Sequence, residues 1–255
     1  MKRPRFRGNS APVLQPGQFE YEFGVPIAGP ILEKSLWATT ALKRLPETHP
    51  ADWTKIFGRS APIVLDIGCG NGRYTIASAV ERPECNHLAV DFLPAVIRYG
   101  TRRANQRGLG NTRFAVSDGW RILHDYFAPN TIAEIHIYHP QPYADPHEAN
   151  LRMLTPDFIA LVHDRLTTGG QIILQTDRQS YWEYINAAIR PLFDWHPVEG
   201  EWPSGPQFRS RREILARKQG LPIYRGWGVK RDGLSREAIQ SIVGALPQPA
   251  FEVDE

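Results

Sequence analysis

Three aspartates and three glycines pose the first chemical question. Asp66 precedes Gly68, Gly70 and Gly72 in the stretch LDIGCGNGRY, and Asp91 follows about 20 residues beyond the last of these glycines. Asp118 closes a further apolar run, NTRFAVSD. Glycines allow turns that side chains forbid and let a ligand approach the backbone closely. A carboxylate at the spacing of Asp91 can accept both hydroxyls of a ribose. The pattern is Gly-x-Gly-x-Gly, not the Gly-x-Gly-x-x-Gly that cradles a dinucleotide pyrophosphate. It suits a nucleoside cofactor without phosphates, and S-adenosylmethionine is one. Asp66 would then face the cationic methionine end, and Asp118 an adenine amine. A single Asp at a strand end is commonly a helix N-cap, but three in succession beside a glycine loop point to a ligand. Cys69, inside the loop, reads as a small filler and not as a nucleophile.

A second constellation is YHPQPYADPHEANLRM, residues 138 to 153, which follows the apolar run TIAEIHIYHP. Gln141 sits between two prolines, with Tyr143 just after. An amide there can orient a base, or a cofactor carboxylate or amine, but supplies no charge. Tyr143 is placed either to stack on an unpaired base or to pack against its own loop. His136 and His139 alternate along the strand with no Cys or His cluster near them and read as structural, so no metal is expected.

These residues need a scaffold that brings them together. From residue 61 onward, short apolar runs alternate with helical patterns. APIVLDIG, NHLAVD, NTRFAVSD, TIAEIHIYHP and QIILQTD read as strands. The segments between them read as helices, with Pro94 opening one and Thr155-Pro156 capping another. TPDFIALVHDRLTTGG is expected to run as a helix up to its Gly-Gly stop. Such alternation predicts an α/β fold, a mostly parallel Rossmann-like sheet with helices on both faces. FDWHPVEG and PIYRGWGVKR read as antiparallel partners at one sheet edge. Trp182, Trp195, Trp202 and Trp227 read mainly as packing. Ligands bind beyond the carboxyl ends of such strands, at the switch point, and the three aspartates stand at such strand ends beside the glycine loop.

Residues 1–60, with seven prolines, are expected to form a basic arm or loosely packed segment. The α/β domain is assigned to 61–231, and a C-terminal helix with an acidic end to 232–255. Two cysteines make no disulfide or zinc framework. No signal-peptide core or membrane-spanning run is visible, so a soluble cytoplasmic protein is expected. The net charge of +3 is uneven: residues 1–7, 98–113 and 205–231 hold 17 of the 30 Lys and Arg but only one acid, Glu213. Three arginine-rich runs suggest a phosphate-bearing partner. Monomer and homodimer remain open.

Taken together, these motifs resemble the bacterial tRNA (guanine-N7)-methyltransferases, from about residue 60 to 230. DIGCGNG is close to that family's Glu-Ile-Gly-x-Gly-x-Gly loop. Its Phe-Pro-Asp-Pro-Trp falls on His139-Pro140-Gln141-Pro142-Tyr143, and its Thr-Asp on Thr176-Asp177. Its Thr-x-x-Glu and Gly-x-x-Ile-Tyr-Arg fall on Ser210 to Glu213 and Gly220 to Arg225. The resemblance implies the seven-stranded class I methyltransferase fold and methyl transfer from S-adenosylmethionine to guanine N7 in a tRNA. It implies that Asp66, Asp91 and Asp118 hold the cofactor, and that Asp177, Ser210 and Glu213 hold the guanine. Gln141 replaces the family's catalytic-site Asp. The basic stretch that follows in the family is here ADPHEANLRM, with Arg152 its only base. These departures leave two alternatives: a methyltransferase of the same fold acting on another RNA or a small nitrogen nucleophile, or a non-catalytic RNA-binding or partner-recruiting relative.

Overall fold

A computed structural model of the protein describes residues 14–253 apart from Pro203. The basic run at 1–7 lies outside the described residues. A short hairpin, β1 (Tyr21–Glu22) and β2 (Val25–Pro26), is followed by α1 (Trp53–Phe57). The alternating part then runs β3 (Ile63–Ile67), α2 (Arg73–Glu81), β4 (Asn86–Asp91), α3 (Pro94–Gln106), β5 (Thr112–Val116) and α4 (Gly119–Tyr126). It continues through β6 (Ile132–Tyr138), α5 (Pro156–Arg165), β7 (Leu166–Thr176) and α6 (Gln179–Ile189). The chain closes with β8 (Phe193–Val198), α7 (Arg211–Lys218), β9 (Tyr224–Lys230) and α8 (Arg236–Ala245).

Seven strands form one sheet in the order β5-β4-β3-β6-β7-β9-β8. The first five are parallel, and β9 pairs antiparallel with both β7 and β8. The chain winds outward from β3 to β5 and then returns to β6 on the other side of β3. That reversal opens the crevice in which the glycine loop meets Tyr138 and His139 at the end of β6. Strands buried on both faces read as continuous apolar runs, and every residue of β3 and β4 is buried. Leu65, Ile67, Leu88 and Val90 face a large core with α4, α5 and α6. Ala89 and Phe114 face a smaller one with Ile76, Ile97 and Ile27.

Two expectations are revised. The helix at 156–165 does not reach the Gly-Gly pair; Leu166 is already extended, at φ −69° and ψ 140°. β-branched Thr167 and Thr168 continue as strand, and the β6–β7 register shifts between Ile132 and Glu134 to absorb the extra residues. Nor are residues 14–60 loosely packed. Trp53 and Phe57 belong to the large core and Ile27 to the small one. Arg103 on α3 and Arg107 at its C-cap, each 5% exposed, reach back to Glu20 at 2.8 and 3.3 Å.

Candidate active site

β3 delivers Asp66 into the interior, and the chain then turns through Gly68 and Gly70 at φ +73° and +53°. A Cβ at either would meet nothing within 4 Å. Both glycines are therefore demanded by backbone conformation, and both border open space. Gly72 differs. A Cβ there would lie 2.8 Å from the Phe114 ring and 3.1 Å from the Gly100 Cα, and its N–H already donates to the Cys69 carbonyl. Although expected among the cofactor residues, Gly72 is used to pack α2 against α3 and β5.

Asp66 is 3% exposed and accepts the Thr75 hydroxyl at 2.5 Å. Burial pushes its carboxyl up to about 7, with Thr75 opposing the rise and Asp91 adding to it. Asp91 accepts the Gly70 N–H at 3.0 Å and the Leu93 N–H at 2.9 Å, so the loop and the acid brace one another. Asp118 is exposed and caps α4, accepting the Arg121 N–H at 2.8 Å. Burial, then Asp66 and Asp91, raise the Cys69 thiol well above its ordinary range, which keeps it protonated and a poor nucleophile.

The residues that the resemblance assigns to the guanine come from the other half of the sheet. Asp177 follows β7, and its Oδ1 meets His139 Nδ1 at 2.7 Å. Its Oδ2 accepts from Arg212 at 2.5 Å. Burial alone would raise this carboxyl, but the hydrogen bonds from His139 and Arg212 and the Arg212 charge hold it well below the usual range. Ser210 caps α7, its Oγ accepting the Glu213 N–H at 3.1 Å. Glu213, 3% exposed, accepts from Gln175 at 3.0 Å and from Arg217 at 2.9 Å, with Arg225 3.6 Å away. One pocket joins the halves: Asp66, Gly68 and Gly70 form one side, and His139, Ser210 and Arg212 the other.

Gly72, Asp91, Asp118, Gln141, Tyr143, Asp177 and Glu213 are not part of that lining; Asp177 lies behind His139 and Arg212, and Glu213 lines a neighbouring pocket with Gln175 and Trp202. Gln141 is exposed, and its side chain makes no hydrogen bond among the described residues. Tyr143 is half-buried at φ +46°, and its carbonyl accepts from Arg152 at 2.9 Å. Arg152 is 2% exposed and also donates to the carbonyls of Pro142, Pro249 and Phe251, with Phe251 beneath its guanidinium at 3.9 Å. Arg152, the only Lys or Arg of the stretch ADPHEANLRM, thus holds backbone. Within the run at 205–231 several arginines are spoken for as well. Arg209 and Arg217 pair with Glu201, and Arg211 with Glu22. His139, Gln175, Trp202 and Arg212 carry much of the site's geometry and were not singled out as site residues by sequence reasoning. A polar Gln175 inside the apolar run QIILQTD was the available signal.

Residues 60–225 match the family described as "Putative methyltransferase". A tRNA (guanine-N(7)-)-methyltransferase of Bordetella pertussis is 34% identical over 182 residues, covering 70% of this chain and 69% of that protein. The chain belongs to the tRNA (guanine-N7)-methyltransferase family. The Myxococcus xanthus member is 31% identical over 192 residues, covering 72% of this chain and 91% of its own length. Among solved structures, the 16S rRNA methyltransferase KamB aligns at TM-score 0.54 and 12% identity, over 75% of this chain and 98% of that one. The 16S rRNA (adenine(1408)-N(1))-methyltransferase of Catenulisporales acidiphilia aligns at 0.52 and 15%, over 76% and 96%. Both likenesses establish the class I methyltransferase fold. Among the described residues no helix is long and apolar enough to cross a membrane, and no group of three His, Cys, Asp or Glu could hold a metal ion.

Proposed function

We propose that this protein methylates N7 of a guanine in tRNA, using S-adenosylmethionine. The observation that carries the reading is the shared pocket: Ser210, at the head of the motif that ends in Glu213, and His139 and Arg212, which hold Asp177, stand opposite the glycine loop. Relatives bearing the name of that activity support the substrate. The cofactor fits the residues present. Gly68 and Gly70 offer backbone beside open space, and Asp91 is held by two N–H groups at the strand end where ribose hydroxyls would lie. Asp66 would face the cationic end, and Asp118 would meet the adenine amine.

When bound, S-adenosylmethionine supplies an electrophilic methyl group on a sulfonium. Guanine N7 has an in-plane lone pair and no proton, so the protein needs no general base; its task is alignment. Asp177 and Glu213 suit guanine because its N1–H and N2 amine donate, and two carboxylates favour the cation that N7-methylation leaves on the ring. Both are engaged in this structure. Arg212, whose side chain is 42% exposed, is the partner of Asp177 that a guanine could displace. Gln141 orients and does not activate.

The test is nucleoside mass analysis after incubating the protein with labelled cofactor and unmodified tRNA. Label in 7-methylguanosine is expected. Asp177→Ala and Glu213→Ala should each abolish it while cofactor affinity stays within a few-fold. Loss of cofactor binding in both variants would overturn the role assignment. A second reading, an acceptor in another RNA, is favoured by Arg152, which is buried and holds backbone carbonyls. Label in ribosomal RNA instead of tRNA would establish it.

A further inference from the structure

The two carboxylates proposed to hold guanine, Asp177 and Glu213, are joined by a hydrogen-bonded chain whose direction can be worked out. Trp202 Nε1 lies 2.9 Å from Gln175 Oε1. An indole nitrogen can only donate, so that amide oxygen accepts and the amide nitrogen faces the other way. There Gln175 Nε2 is 3.0 Å from Glu213 Oε2 and 2.9 Å from His139 Nε2. The amide has two N–H bonds, and each has one acceptor. His139 Nε2 must therefore carry no proton, which leaves the proton on Nδ1, 2.7 Å from Asp177 Oδ1. Flipping the amide would set N–H against N–H at Trp202 and oxygen against the Glu213 carboxylate. Only one arrangement satisfies every donor.

Burial reinforces the chain. Gln175 is 1% exposed, and the His139 side chain 4%. The His139 backbone is at φ +53°, where a residue other than glycine is strained. Its N–H donates to the Gln175 carbonyl at 2.6 Å, so strand β7 fixes both ends of the residue. The family resemblance puts an apolar Phe at this position. Here the chain has a hydrogen-bonding side chain two residues before the carboxylate it lacks.

We propose that His139 is a positioning residue that, through Gln175 and Trp202, locks Asp177 and Glu213 in one mutual orientation as the neutral Nδ1–H tautomer. Asp177 Oδ1 is permanently occupied by His139, and Oδ2, held by the displaceable Arg212, is left for the acceptor base. The functional half of this inference rests on the guanine reading, whereas the tautomer does not.

The experiment has two arms. Long-range proton–nitrogen NMR on 15N-histidine-labelled full-length protein at neutral pH reads the tautomer, and the set lost in His139→Phe identifies His139. An Nδ1–H ring with an unprotonated Nε2 is expected; an Nε2–H ring or an imidazolium overturns the relay whatever the substrate. In the kinetic arm, His139→Phe should lower kcat/KM for guanine methylation 10- to 100-fold through kcat, with cofactor Kd within about threefold. His139→Asn, which keeps a donor near the Nδ1 position, should recover to within about fivefold of the parent. Trp202→Phe frees the amide to turn and should mix the tautomers, with a two- to fivefold loss in kcat. Parental kcat in His139→Phe, or an equal loss of cofactor binding, overturns the positioning role. A parent protein that labels no guanine, yet shows the Nδ1–H ring, sinks the substrate reading and leaves the relay standing.

Discussion

At the scale of single residues, the site separates its carboxylates by environment. Asp66 is raised to about 7 by burial while Asp177 is driven down by His139 and Arg212. For Asp66 the folded pKa exceeds the unfolded value of about 3.9. Its contribution to stability is thus fully present below about pH 4 and is lost as pH rises towards 7. A cation bound beside it favours the ionised form. Cofactor affinity should accordingly rise with pH between about 6 and 8, with release of a proton. Calorimetry in two buffers of different ionisation enthalpy checks this; no proton release at pH 6.5 would place the cation elsewhere. Gln141 is exposed and without a side-chain partner, so Gln141→Asp should leave the melting temperature unchanged. A charge-assisted bond exceeds a neutral one by about 1 kcal/mol, so methylation should quicken by up to about tenfold. The three acidic strand ends were legible because each closes an apolar run. The partners of Asp177 were not, since a sequence does not say which cation a carboxylate meets.

At the scale of elements, Arg152 ties the turn after β6 to the C-terminal segment by donating to four backbone carbonyls. Those acceptors lose their charged donor in Arg152→Met, which should cost about 3 kcal/mol. Arg152→Lys should recover only part, because one ammonium cannot match the fork. Denaturant midpoints measure both, and a change under 1 kcal/mol in Arg152→Met would refute the tie. Strands and helices were readable from periodicity and caps; Thr155 does accept the Phe158 N–H. The end of α5 was not. Gly169-Gly170 reads locally as a helix stop, but Leu166 is extended and pairs with Ile132 on β6. Tertiary pairing overrode the local signal.

At the scale of the whole molecule, the basic runs look different once folded. Arg103 and Arg107 hold Glu20, and Arg73 lies 3.5 Å from Glu22, so the hairpin segment is clamped onto α2 and α3. Glu20→Ala would leave Arg107 without its carboxylate and Arg103 with only Glu22, 3.6 Å away, at a cost of about 3 kcal/mol by thermal or chemical melting. Burial raises the Glu20 carboxyl, but Arg103 and Arg107 pull it down overall. The clamp therefore contributes fully above the unfolded value of about 4.3 and weakens as pH falls below it. Hydrogen exchange at 14–60 should accelerate in acid before the sheet core does. The sheet order has one more consequence, for synthesis on the ribosome. β8 is made before β9, yet β9 lies between β8 and β7. β3, β4 and β5 can assemble once Val116 has emerged, whereas β8 has no neighbour until translation passes Lys230. The nascent chain would thus complete its glycine loop well before the half of the sheet that carries Asp177 and Glu213, and for that interval it carries an edge strand that only its own later sequence can cover.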